Sequence, residues 1–191
     1  MEARQIGVLS RVLASEIIES PFAHIQGDAV FADFAEIRQR LKSEEGNLTG
    51  SRKKQVHSLK GGFWERLFCN GFRDAMLAKF VVKDVPHETD VRLVRDNPGF
   101  SLGPHTDDPK KLVSLIFYIE GGPGTSLYVP KKEGFTSDGL SHLDPKDFEK
   151  VKECLPEPNS MCGFRRTDKS FHGVELVTQA RITLLYNIYR K

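Results

Sequence analysis

His105 and Asp107 stand two residues apart in Gly103-Pro104-His105-Thr106-Asp107. On extended backbone such residues leave on one face, because strand side chains alternate with period 2. A neutral imidazole and a carboxylate on one face can grip a divalent metal. The best third ligand is His172, in Ser170-Phe171-His172-Gly173-Val174. Two His and one carboxylate that leave coordination positions open suit non-haem Fe(II), which activates O2.

Two neighbours compete for the carboxylate role. Asp108 would point the opposite way on an extended strand. A second H-x-D, His142-Leu143-Asp144, is set aside because Asp144 precedes Pro145 and suits a helix N-cap. Nine residues after His172 comes Arg181-Ile182-Thr183. Along that segment Ile182, Leu184, Tyr186 and Ile188 can pack against one layer, leaving Arg181, Thr183, Leu185 and Asn187 facing the other. An arginine inside an apolar strand needs an anionic partner. A protein carboxylate would serve, and so would a ligand carboxylate gripped by the planar fork.

The elements that must position these residues follow from periodicity. The spacing predicts a helix over Arg4 to Ile18, ended by Pro21, then a strand over Phe22 to Gln26. Asp28 is expected to cap a second helix whose face is Phe31, Phe34, Ile37 and Leu41. Ser43 to Gln55 reads as a polar connection, with a mobile lid as the alternative, and Trp64 to Phe80 as one helix. Strands are expected over Thr89–Arg95, Lys111–Ile119, Thr125–Val129, Ser160–Phe164, Phe171–Val177 and Ala180–Tyr189. Asp144-Pro145-Lys146-Asp147 predicts a further helix, with Phe148, Val151 and Leu155 as its buried stripe. Helices first and short strands after argue an α+β chain with a β sandwich or barrel in its second half.

Bulk composition is that of an ordinary soluble domain: 191 residues, 39% hydrophobic and 28% charged. One domain over 1–191 is expected, with helical support to about residue 86 and a β core from about 87. A net charge of +2 gives no footprint for nucleic acid or a membrane surface. The three cysteines, without a CxxC, read as no disulfide framework and suit a reducing cytosol. No signal-peptide core and no membrane-length apolar run is present, so a cytoplasmic location is expected.

H-x-D, a distant H and R-x-T in that order resemble the Fe(II)- and 2-oxoglutarate-dependent dioxygenase superfamily. Pro21-Phe22-Ala23-His24-Ile25, Gly124 to Pro130, Pro158-Asn159-Ser160 and Ser170 to Val174 are similar to a small bacterial and phage-like branch of it, so the likeness runs over roughly 21–190. The resemblance implies a double-stranded β-helix, or jelly roll, buttressed by helices. It implies a metal centre of His105, Asp107 and His172, with 2-oxoglutarate and O2 at the open positions. Arg181 and Thr183 would hold the distal carboxylate of 2-oxoglutarate, and Arg95, Ser114 and Tyr118 are further candidates. The activity implied is hydroxylation of a C–H bond of a small molecule, coupled to conversion of 2-oxoglutarate to succinate and CO2. The runner-up is a protein-residue hydroxylase of the prolyl type, and a third reading is a metal-binding module without turnover. Residues 43–63, 96–104 and 131–142 are the candidate substrate loops, and Lys131, Lys132, Arg165 and Arg166 hint at an acidic group on the substrate.

Overall fold

Two antiparallel sheets face each other, and helices cover the outer face of the larger one. The computed structural model describes residues 10–83, 85–141 and 143–191. Eleven strands are described: β1 His24–Gly27, β2 Thr49–Gly50, β3 Lys54–Ser58, β4 His87–Asp96, β5 Leu102–His105, β6 Lys111–Glu120, β7 Ser126–Pro130, β8 Phe148–Glu153, β9 Ser160–Arg165, β10 His172–Val174 and β11 Arg181–Arg190. The major sheet runs β1-β9-β6-β11-β4-β3-β2 and the minor sheet β5-β10-β7-β8. From β4 onward the chain keeps crossing between the sheets, which is the layout of a jelly roll.

Three helices, α1 Phe34–Glu44, α2 Gly62–Leu67 and α3 Asn70–Lys79, pack on the outer face of the major sheet. The even residues of β11 meet them as the alternation requires: Leu184, Tyr186 and Ile188 are fully buried in that layer. Phe68 stacks on Tyr186 with ring centres 4.8 Å apart, and Phe72 meets the same ring edge-on at 5.2 Å.

Several local expectations are corrected. The first predicted helix is helical only over 10–14 among the described residues, and its residues 4–9 lie outside them. Asp33, not Asp28, caps α1, its carboxylate accepting from the Glu36 N–H at 3.2 Å. Asp28 falls too early, in a bend where Ala29 takes a positive φ of 45°. The polar connection Ser43 to Gln55 is instead the end of α1, a 3-10 turn and a hairpin. The expected helix Trp64 to Phe80 is broken at Phe68 and Cys69, which leave helical geometry so that α2 and α3 can both follow the twisted sheet.

The Asp144 cap forms, accepting from Lys146 N, but the helix stops after the 3-10 turn Pro145–Asp147. The chain then pairs with β7 as strand β8. Val151 is 46% and Leu155 68% exposed, so the predicted buried stripe does not exist. Pairing with an open sheet edge overrides a local start signal that had too few apolar residues behind it. Cys154 and Cys162 are both buried and lie beside each other, with Cα atoms 6.0 Å apart. No described helix is long and apolar enough to cross a membrane.

Candidate active site

The cavity between the two sheets has a volume of about 220 Å³, and its walls carry the chemistry. On the minor sheet, β5 and β10 are neighbours and His105 lies directly opposite His172. That approach depends on Gly173, where a Cβ would sit 2.4 Å from the Leu102 carbonyl oxygen. His105 Nδ1 lies 3.0 Å from the Gly103 carbonyl oxygen, and His172 Nδ1 lies 2.9 Å from that of Ser170. A carbonyl can only accept, so both Nδ1 atoms carry the proton and both Nε2 atoms are bare. This is the backing that a metal-bound imidazole requires.

Asp107 reaches the same point by a route the alternation rule did not foresee. Strand β5 ends at His105, and Asp107 turns in with a left-handed φ of 66°. A non-glycine residue held there marks a position whose surroundings over-determine it. Arg166 is part of that restraint: its Nε donates to the Thr106 carbonyl at 3.2 Å and to that of Asp107 at 3.4 Å. This guanidinium is therefore engaged with the backbone of the Thr106–Asp107 turn. Asp108 turns away and caps Lys110 N at 2.7 Å.

The donor atoms of His105, Asp107 and His172 all lie within 4.8 Å of one another. Asp107 Oδ1 is 3.4 Å from His105 Nε2, and Oδ2 is 3.4 Å from His172 Nε2. Burial pushes the Asp107 carboxyl up, but the surrounding His172, His105 and Lys111 outweigh it and hold it well below the usual carboxylate range. Burial, helped by His105, pushes His172 down against the pull of Asp107. A neutral imidazole beside an ionised carboxylate is the donor state a divalent cation needs. Sequence reasoning missed Lys111, whose ammonium stands 3.0 Å from Asp107 Oδ2.

The opposite wall is the inner face of the major sheet, with Arg181, Thr183, Leu185 and Asn187 of β11 along it. Arg181 is 4% exposed. Its partner within the protein is Asp96, 1% exposed, with Nη1 2.6 Å from Oδ2. Arg181 Nε is buried with no hydrogen-bond partner. The Arg181 guanidinium lies 5.6 Å from the Tyr118 ring centre, and Tyr118 donates its hydroxyl to Thr125 Oγ1 at 2.7 Å. Ser114 also lines the cavity and donates to Asn187 Oδ1 at 2.9 Å. Arg95 does not join them. On β4 the inward residues are Arg92, Val94 and Asp96, and Arg95 leaves on the other face toward Glu45 and Asn97.

The Glu120 to Gly124 turn sets Arg181 in place. Gly122 has φ 69°, and a Cβ there would lie 2.4 Å from Arg181 Cβ. Gly122→Ala is expected to cost about 1–3 kcal/mol of stability through backbone strain and overpacking. Urea unfolding measures this, and an unchanged midpoint would show that the turn does not press on Arg181.

No family model matches this sequence, and no curated protein does. Solved structures match along nearly the whole chain. A Pseudomonas putida prolyl-4-hydroxylase aligns at 17% identity and TM-score 0.60, covering 96% of this chain and 99% of that one. The viral collagen prolyl hydroxylase of Paramecium Bursaria Chlorella virus-1, in complex with 2OG, aligns at 14% identity and TM-score 0.59, over 88% and 96%. A Trichoplax adhaerens prolyl hydroxylase, bound to a peptide fragment of the hypoxia inducible factor oxygen degradation domain, aligns at 11% and 0.61, over 99% and 90%. The protein has the fold of these oxygenases. Its two sheets are thus a double-stranded β-helix, as the strand crossings indicated.

Proposed function

We propose that the protein is an Fe(II)- and 2-oxoglutarate-dependent oxygenase that hydroxylates a C–H bond. One observation carries the reading: a His105–Asp107–His172 donor set and the buried arginine Arg181 face each other across one cavity of the oxygenase fold. The residues fit iron and 2-oxoglutarate. Three donors with bare or ionised atoms converge, and Arg181 keeps a buried Nε aimed at no partner.

Iron, when bound by His105, Asp107 and His172, would supply activation of O2 at the expense of 2-oxoglutarate. The chain's own residues do the rest. The two backbone carbonyls fix the imidazole tautomers. Lys111 orients the Asp107 carboxylate. Arg181, with Thr183 beside it on β11, offers donors to the distal carboxylate of 2-oxoglutarate, while Tyr118, opposite Thr183, keeps its hydroxyl on Thr125. Val56, Val94, Ile116, Phe164 and Leu185 supply the apolar part of the wall, which limits water near the reacting centre.

For the substrate, a small molecule is the first reading, because the cavity is modest in size. A prolyl residue of a peptide is the second. It is favoured by the prolyl hydroxylases among the similar structures, one of which holds a peptide. Anaerobic titration of the purified protein with Fe(II) and then 2-oxoglutarate tests the main reading. A weak visible charge-transfer band that needs both components is expected, and succinate release can then rank small molecules against prolyl peptides. Iron bound without such a band would rule out 2-oxoglutarate as cosubstrate.

A further inference from the structure

Lys54 on β3, Asp96 on β4 and Arg181 on β11 lie in one cross-strand row, each opposite the next. Two cations therefore share one carboxylate. Asp96 Oδ2 takes Arg181 Nη1 at 2.6 Å, while Lys54 Nζ is left 3.9 Å from Oδ1. Oδ1 itself is buried without a hydrogen bond. The other nearby partner of the ammonium is the face of Phe100, 4.8 Å away.

The remaining charges of the cavity wall are committed. Lys111 pairs with Asp107, and Arg92 pairs with Asp90. The surplus of one positive charge thus lies in the Lys54–Asp96–Arg181 row. This matters because Arg181 and Asp96 by themselves sum to zero. A carboxylate arriving at Arg181 would also meet Asp96 as a like charge. A second cation must offset that repulsion, and Lys54 is the one in reach. Burial lowers the Lys54 pKa, with Asp96 pulling it back and Arg181 pushing it further down, as expected for an ammonium facing the cavity.

We propose that Lys54 is a second cationic ligand for the distal carboxylate of 2-oxoglutarate, sharing it with Arg181 while Asp96 holds the two cations apart. The row's net +1 then matches the −1 at that end of the cosubstrate. This rests on the cosubstrate reading above. Nothing in the local sequence of Lys54 distinguishes it, since it lies within the segment Ser43 to Gln55 that reads as a polar connection.

Calorimetric titration of 2-oxoglutarate into the Mn(II)-loaded protein tests it without turnover. In Lys54→Met the affinity for 2-oxoglutarate should fall about tenfold, the low end for a charged hydrogen bond because the side chain is 38% exposed. Mn(II) affinity should not change, and Lys54→Arg should restore most of the loss. Unchanged 2-oxoglutarate affinity in Lys54→Met, or an equal loss of Mn(II) and 2-oxoglutarate, would overturn the assignment. If the unaltered protein itself binds Mn(II) but no 2-oxoglutarate, the cosubstrate reading fails first and this proposal with it.

Discussion

Arg181→Met is expected to remove 2-oxoglutarate binding and also to destabilise the fold by about 3–5 kcal/mol. The first effect follows from the reading of Arg181 as the buried cation at the distal carboxylate. The second follows from Asp96. Its side chain is 1% exposed and its strongest partner is Arg181 Nη1. Removing the guanidinium leaves a buried carboxylate with only the distant Lys54 ammonium to compensate it. In a chain of 191 residues this corresponds to a fall in Tm of roughly 10 °C. Metal affinity should be largely retained, because the donor set sits on the other sheet. The double variant Arg181→Met with Asp96→Asn should regain much of the stability and none of the 2-oxoglutarate affinity. Thermal unfolding and calorimetry separate the two effects. Arg181→Met with unchanged stability would mean that the Asp96 pair contributes nothing, and retained cosubstrate binding would remove Arg181 from the site.

The second large effect is expected at Asp107. Asparagine has the same shape and tolerates a left-handed backbone, so Asp107→Asn can keep the φ of 66°. It removes the charge. Metal affinity should then fall by more than the ~10- to 100-fold typical of losing an outer partner, because a ligand itself is lost. The apoprotein should stay folded. Co(II) titration measures the affinity, and circular dichroism checks the fold. An Asp107→Asn protein that still binds Co(II) tightly would mean that the carboxylate is not a ligand.

Much of this chain was legible because its signals are local. The alternation of β11 is a property of ten consecutive residues, and it sorted Leu184, Tyr186 and Ile188 from Arg181 and Thr183 before any fold was known. The strand β6 was readable for the same reason, as a nearly continuous apolar run. Where a local signal was weak or split, the sheet decided. Residues 148–153 follow a start signal for a helix but hold only one well-buried apolar side chain, and the free edge of β7 claimed them. The broken helix at Phe68 and Cys69 follows the same logic, since packing two aromatic rings on Tyr186 outweighs continuing one helix.

The candidate site divides along the same line. By itself the sequence determined the residue types and their order: an H-x-D, a later His, and an Arg and Thr on one strand face. Those are choices of donor and charge, which chemistry restricts to a few side chains. Tertiary structure alone decided how they meet. Asp107 faces the imidazoles through a left-handed turn held by Arg166, not through strand alternation. Arg181 already has Asp96, and Lys54 and Lys111 complete the charge pattern of the cavity. The reason is register. Which residues of β3, β4 and β11 share a row depends on how far each strand slides before its apolar face is buried, and one residue of slip would reverse every side chain. That balance is struck across the whole sheet, so no single stretch of the chain contains it.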